Sequence, residues 1–207
     1  MKIETITVGP FEVNCYLAWD SATRRAVVVD PGADAPLIVN RMRAAGLTVA
    51  VYLLTHGHVD HISALAELLE DFPAPAVLHP ADARWAFAGS NRLEPYYPAP
   101  RRPSAAMTFP ENLQMPAGPW DCRIIPTPGH SPGGVCYYFP AEHRLFTGDT
   151  LFQGTVGRTD LPGGDTRTLS DSLRHLRGLP PETRVYPGHG ADSTLAAEYA
   201  SNPFLAD

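Results

Sequence analysis

Short apolar stretches with strand-like alternation recur along the chain, and most of them end at glycine, proline or aspartate. The pattern predicts strands near residues 2–8, 13–18, 26–30, 50–55, 76–79, 123–127, 135–139, 144–148 and 183–187. Helical spacing of apolar residues predicts helices near residues 35–45, 62–72, 80–88, 165–176 and 194–200. Strands and helices mix in both halves, so we predict an α/β fold in which helices cover the outer sides of two β-sheets.

Local residues also predict where some elements begin and end. Asp34, followed by Pro36 inside the first helix, predicts its start, and Gly46 predicts its end. The leucines of the fourth helix, which starts near Asp165, are spaced to face inward. Residues 89–119 show weak periodicity, and we interpret them as one long loop between the halves, of the kind that can act as a lid.

Composition narrows the class of protein. A chain of 207 residues with 44% apolar and 18% charged residues predicts a single globular domain over residues 1–207. The net charge of −6 argues against a nucleic-acid binder, which usually carries a basic face. Apolar runs are too short to span a membrane, and the alternating N-terminus predicts a strand, not a signal peptide. Oligomeric state is not predicted.

The three cysteines, Cys15, Cys122 and Cys136, each fall in an apolar strand-like stretch without metal-site spacing. We expect buried free thiols, which are typical of proteins in the reducing cytoplasm.

Candidate chemistry is concentrated after the strand near residues 50–55. His56, His58, Asp60 and His61 fall within six residues, although the whole chain has only eight histidines. Neutral imidazole and carboxylate are the side chains that bind zinc-like metals. We interpret this loop as a metal site and not as a polar loop with accidental histidines.

Three further strand ends carry the same kinds of side chain. They deliver His130, Asp149 and His189, each beside glycine. Strand ends in α/β folds are where ligand groups gather, so we expect these residues to join the first loop around two adjacent metal ions. Asp30 ends another strand, and we predict a supporting or structural role for it. The remaining histidines, His79, His143 and His175, lack such a context and are left out of the site.

The ordered set His56-x-His58-x-Asp60-His61, His130, Asp149 and His189 resembles the metallo-β-lactamase superfamily. The resemblance implies an αβ/βα four-layer sandwich of two mixed sheets flanked by helices. It also implies two divalent ions, zinc in the first instance with iron or manganese as alternatives. His56, His58 and His130 would hold the first ion, Asp60, His61 and His189 the second, and Asp149 would bridge them.

Within the superfamily, His61 and Asp149 resemble the glyoxalase II and sulfur dioxygenase branch. The stretch Gly157–Asp165 and the tail Asn202–Leu205 look like the short bacterial glyoxalase II-like hydrolases. The longer enzymes carry a C-terminal helical substrate domain, and this chain stops before it. Where the longer enzymes place two tyrosines of the glutathione pocket, Asp160 and Ala191 stand here.

The resemblance implies a thioester hydrolase acting on a small acyl-glutathione such as lactoylglutathione, with a metal-bridging hydroxide as nucleophile and Asp60 orienting the water. Arg158 is the predicted contact for a substrate carboxylate. Tyr96, Tyr97, Arg101 and Arg102 are candidates for another wall of the pocket.

Three alternatives stay open at this stage. One is a persulfide dioxygenase with a single iron held by His56, His130 and Asp149. A lactonase or other hydrolase of the same fold is the second. A binding module without catalysis is the third, and the full set of seven candidate ligands argues against it.

Overall fold

The computed structural model describes residues 1–205, and its first half forms a six-stranded mixed sheet. In spatial order the strands are β1 (Lys2–Val8), β2 (Val13–Trp19), β3 (Arg25–Val29), β4 (Thr48–Leu53), β5 (Ala76–Val77) and β6 (Met107–Thr108). The pairs β1–β2 and β2–β3 are antiparallel, whereas β3 to β6 run parallel. The parallel strands therefore end at the same edge of the sheet.

The second half forms another six-stranded sheet. Its spatial order is β14 (Ser193–Thr194), β13 (Arg184–Pro187), β10 (Arg144–Gly148), β9 (Val135–Phe139), β8 (Trp120–Pro126) and β7 (Gln114–Ala117). Only β10 and β13 pair in parallel, so the β10 and β13 ends lie side by side. A small hairpin of β11 (Leu151–Phe152) and β12 (Thr155–Val156) follows β10.

Within residues 1–205, six α-helices flank the sheets: α1 (Ala35–Ala44), α2 (Val59–Ile62), α3 (Leu65–Asp71), α4 (Pro80–Ala83), α5 (Thr166–Leu176) and α6 (Leu195–Ser201). Among the residues described, none of these helices is long and apolar enough to cross a bilayer.

Alternation along the strands separates three apolar layers. On β3, Val27 and Val29 face the core between the two sheets, while Ala26 and Val28 face the core under α1 and α3. A third core lies between the second sheet and α5, where Leu169, Leu173 and Leu176 are buried as predicted. The predicted four-layer αβ/βα sandwich is therefore confirmed.

Helix ends follow local chemistry only in part. Asp165 caps α5 by accepting a hydrogen bond from the Thr168 amide, and Gly46 follows α1 with a positive φ of 62°. Asp34 does precede α1, but its side chain does not cap that helix. Its carboxylate accepts instead from the Gly9 amide, 2.8 Å away, in the turn between β1 and β2.

The helix predicted over residues 62–72 corresponds mainly to α3, and residue 62 belongs instead to the separate helix α2. The Ala64 amide donates to the Pro31 carbonyl, 3.0 Å away, and so leaves the helical ladder between α2 and α3. The helix predicted over 80–88 is also shorter, ending as α4 at Ala83.

The single loop predicted over 89–119 is wrong as well, because β6 and β7 lie within it. Two-residue β6 is too short to show alternation. Pro116 obscures β7, although proline is tolerated there because β7 is an edge strand.

Candidate metal centre

The first four candidate ligands lie directly after the buried strand β4. His56 and His61 are fully buried, and His58 takes the N-cap position of α2. The short α2 then turns Asp60 and His61 back toward His56, whose ring centroid lies 4.2 Å from that of His61. One loop and one helical turn therefore direct four donors into the same space.

Among the described residues, three three-residue groups with metal-ligand spacing lie around this loop, and the one formed by Asp30, His56 and His61 shares its two histidines with the other two. Of these other two, the first contains His56, His58 and His130, and the second contains Asp60, His61 and His189. In each group the ligand atoms lie within 4.8 Å of one another. His130 follows β8 and His189 follows β13, so the first and second groups each combine residues that follow the first sheet's β4 with one residue that follows a strand of the second sheet.

Asp149 lies between the two groups. Its Oδ1 is 3.3 Å from His61 Nε2, and its Oδ2 is 3.5 Å from His130 Nε2 and 3.6 Å from His189 Nε2. One carboxylate therefore faces both groups, which is the arrangement that a bridging ligand needs. The structure brings all seven predicted ligands together.

Three candidate ligand atoms in the centre are buried and make no hydrogen bond with the described residues, although two of them, on His61 and Asp149, lie 3.3 Å apart. They are His56 Nε2, His61 Nε2 and Asp149 Oδ1. Buried polar atoms in proteins are nearly always hydrogen-bonded, so three such atoms facing one space indicate that the space belongs to a ligand. The donor set of imidazole and carboxylate fits divalent cations of the zinc type.

The opposite ring nitrogens are held by the protein. Nδ1 of His130 donates to the Arg158 carbonyl at 2.7 Å, and Nδ1 of His189 donates to the Phe11 carbonyl at 2.9 Å. Such bonds fix the ring orientation and leave Nε2 free for a metal. His58 differs, because its Nδ1 faces the centre, 2.9 Å from His130 Nε2.

Asp30 supports two rings at once, in agreement with its predicted supporting role. Its Oδ2 accepts from His61 Nδ1 at 3.1 Å and from the Thr55 hydroxyl at 2.6 Å. The Thr55 hydroxyl oxygen in turn accepts from His56 Nδ1 at 3.0 Å. Asp30 has a positive φ of 47°, a strained backbone for a residue other than glycine, and it is fixed by these bonds.

Asp82 is a functional candidate that the sequence did not reveal. Its buried carboxylate accepts from the Gly57 amide at 2.9 Å, the Ser131 hydroxyl at 2.7 Å and the Gly133 amide at 2.7 Å. Those donors belong to the loops that carry His56, His58 and His130. Asp82 therefore ties together the two loops of the first group, although in the sequence it looks like an ordinary helix residue.

Charge in the centre is unbalanced without a cation. Burial lowers the pKa of His61, but Asp149, Asp60 and Asp30 outweigh that effect and raise the pKa to about 10. Burial also favours the neutral carboxyl of Asp149, yet the neighbouring histidines hold its pKa below the ordinary value. The carboxylates thus attract a positive charge, which a proton on His61 supplies in the absence of metal.

In the first group, by contrast, the pKa values of two histidines are lowered. Burial, followed by the neighbouring rings, holds the pKa of His56 well below its usual range and lowers the pKa of His58 to about 3. Both imidazoles are therefore neutral at physiological pH, which is the form that binds metal.

The predicted substrate residues lie at the edge of the centre or away from it. The Arg158 side chain is exposed and makes two 2.7 Å hydrogen bonds to Asp160, so a substrate carboxylate would have to displace Asp160. The guanidinium of Arg101 pairs with Glu70, and that of Arg102 lies over the Phe87 ring.

Tyr96 and Tyr97 contact the turn that supports His189. Their ring centroids lie 5.4 and 5.5 Å from that of Phe11, whose carbonyl binds His189. The exposed Tyr96 and the buried Tyr97 therefore pack beside this turn, whereas the two arginines pair elsewhere.

Comparison with known proteins agrees with this geometry. The sequence profile of the metallo-β-lactamase superfamily matches residues 8–189, most of the chain. The chain belongs to the metallo-β-lactamase superfamily. Members of this superfamily bind divalent metals, and the His and Asp cluster of the present chain lies within the matched residues.

Relatives of this superfamily member cover its whole length. Hydroxyacylglutathione hydrolase GloC of Haemophilus influenzae is 34% identical over 99% of this chain and 98% of its own length. This relationship agrees with the predicted glyoxalase II-like branch.

Two solved structures show the same fold. The B3 metallo-β-lactamase BLEG-1 superposes with a TM-score of 0.92, at 36% identity over the full length of both chains. TTHA1623, solved in a di-iron-bound form, gives a TM-score of 0.85 at 38% identity, covering 98% of this chain and all of its own. The likeness supports a metal-dependent hydrolase.

Proposed function

We propose that this chain is a dinuclear metal-dependent thioester hydrolase acting on acyl-glutathione-like substrates. The observation that carries the proposal is the pair of ligand groups with Asp149 between them. Seven donors exceed what one ion needs, since a catalytic zinc usually has three protein ligands. The resemblance to GloC, which is named a hydroxyacylglutathione hydrolase, supports the choice of substrate class.

Two divalent cations held here would lower the pKa of a bound water toward neutrality and polarise a carbonyl oxygen. Hydrolysis adds the water oxygen to the thioester carbonyl carbon and breaks the C–S bond, giving a carboxylic acid and a thiol. The thiolate is a good leaving group because the pKa of the corresponding thiol is about 8.5. Little proton donation from the protein is therefore required.

The protein residues supply position and charge. To Asp60, whose Oδ2 is 3.8 Å from His189 Nε2, we assign the role of orienting the attacking water. Asp30, Asp82 and the carbonyls of Phe11 and Arg158 hold the ligand side chains before any ion arrives. Such preorganisation keeps the ordering cost low at the moment of reaction.

The same ligand set bears on the alternative of one iron held by His56, His130 and Asp149. That site would leave Asp60, His61 and His189 without a cation, although their ligand atoms also cluster within 4.8 Å. The second group therefore favours the dinuclear proposal. The buried unpaired thiols of all three cysteines fit the further proposal of a cytoplasmic enzyme.

Metal titration joined to an activity assay tests this function. Metal-free protein titrated with zinc should saturate near two equivalents and then hydrolyse lactoylglutathione, and His56→Ala should abolish the gain. His175→Ala is the matched control, because this histidine lies on α5 outside the centre. Saturation at one equivalent with full thioesterase activity would contradict the dinuclear proposal. Two equivalents without hydrolysis of any thioester would contradict the assigned reaction.

A further inference from the structure

Exposed apolar side chains are concentrated beside the open side of the metal centre. The described residues leave five large apolar side chains exposed, and three of them lie in two adjoining turns. Phe11 is in the turn between β1 and β2, whereas Leu93 and Tyr96 are in the turn 93–97. Such a concentration is unusual, because single exposed apolar residues are normally scattered over the surface.

The apolar patch of Phe11, Leu93 and Tyr96 is fixed to the centre through the backbone. The Phe11 carbonyl accepts from His189 Nδ1 at 2.9 Å, so the backbone of the patch touches a candidate ligand. The turn 93–97 is closed by two hydrogen bonds between Leu93 and Tyr97, and it presents Tyr96 against Phe11 with ring centroids 5.4 Å apart. Two rigid turns therefore form one wall.

The wall lies beside His189, on the more exposed side of the metal centre. The side chain of His189 is 29% exposed, whereas those of Asp149 and His130 are 12% and 6% exposed. The ring of Phe152 stands edge-on to that of His189, with centroids 6.1 Å apart. His189, the most exposed of these three candidate ligands, is therefore flanked by Phe152 and by the turn that carries Phe11.

We propose that this apolar patch binds the acyl chain of the substrate and that the preferred thioesters carry an apolar acyl group of about four to eight carbons. The inference rests on the proposed thioester hydrolysis. Lactoyl, with three carbons and a hydroxyl, is too small and too polar to cover three apolar side chains. Glutathione is too polar to occupy the wall itself, so the acyl half of the substrate takes that place.

Substrates that differ only in the acyl group test the proposal. Glutathione thioesters of acetyl, butyryl, hexanoyl and octanoyl groups should show kcat/KM rising about fourfold for each added methylene that the wall buries. In Phe11→Ala and Tyr96→Ala the hexanoyl-to-acetyl ratio of kcat/KM should fall toward one. Leu37→Ala is the matched control, because Leu37 is 39% exposed on α1 compared with 37% for Phe11. It should keep the wild-type ratio.

A binding measurement separates failure of this inference from failure of the proposed reaction. S-hexylglutathione and S-methylglutathione are thioethers that cannot be hydrolysed, and calorimetry should show at least tenfold tighter binding of the hexyl compound. Equal affinities, or a flat hydrolysis series, would overturn the assignment of the wall even if thioesters are cleaved. Tighter hexyl binding without any hydrolysis would support the wall and contradict the reaction. A patch variant that dissociates an oligomer without altering chain-length preference would assign the patch to an interface between copies.

Discussion

Asp82 offers the most direct test of how the first ligand group is held. Asp82→Asn keeps the size of the side chain and one acceptor oxygen but replaces the other oxygen by a donor. The Gly57 and Gly133 amides bind different oxygens, so one of these two buried amides must lose its acceptor. A buried donor left unpaired costs about 1–3 kcal/mol, and the loss of charge-assisted bonds adds to it. We expect the free energy of unfolding to fall by about 2–4 kcal/mol.

The effect on metal affinity is the decisive quantity. The two loops joined by Asp82 carry His56, His58 and His130, and removal of a residue that orients ligands usually weakens metal binding 10–100-fold. Chelator competition should therefore show that loss for one zinc equivalent, with a smaller loss for the other.

Asp20→Asn is the matched control for this experiment. The carboxylate of Asp20 also accepts three hydrogen bonds, from Ala22 and Thr23, but on a surface turn away from the centre. It should leave zinc affinity unchanged. If Asp82→Asn bound zinc within twofold of wild type while its melting temperature fell, Asp82 would support the fold alone and the reasoning would be refuted.

Three further outcomes follow from the same centre. Asp149→Ala should remove at least 99% of thioesterase activity and weaken both zinc equivalents, because two cations would face each other without a shared anion; two tightly bound zinc ions would contradict this. Gly188→Ala should lower zinc affinity at least tenfold, since an added Cβ would lie 2.2 Å from Asp149 Oδ1, whereas Gly178→Ala, with open space around it, should not. Zinc binding at pH 8 should release about two protons per chain: one from His61, whose pKa near 10 keeps its ring protonated until a metal displaces the proton, and one from the metal-bound water. Apparent affinity then rises with pH up to the pKa of His61, and calorimetry in buffers of different ionisation enthalpy measures the protons; heats independent of buffer would contradict it.

The clustering of the seven candidate ligands could be predicted because the signal for each is local. His56, His58, Asp60 and His61 follow one buried strand, and the other three each stand beside glycine at a strand end. Alternation with a period of two residues and helical spacing identify the strands and the main helices for the same reason. Even the start of α5 is local, since Asp165 caps an amide three residues away.

Apart from Asp30, the residues that support the candidate ligands could not be predicted, because their partners are distant in the sequence. Asp82 binds amides 25 and 51 residues away, and the Phe11 carbonyl meets His189 across 178 residues. Nothing near these residues distinguishes them from ordinary surface or helix positions. Their roles arise only when the two sheets pack face to face and bring the strand ends together.

The sequence by itself therefore determined the four-layer fold class and the candidate metal-ligating side chains. Both depend on short-range patterns of apolar, imidazole and carboxylate groups. Only the tertiary structure decided the orientation of each ring, the pairing of Arg158 with Asp160 and the placement of the apolar patch beside His189. Those features depend on hydrogen bonds and ring contacts between separate turns. Their geometry is fixed by packing of the whole core and by no single segment of the chain.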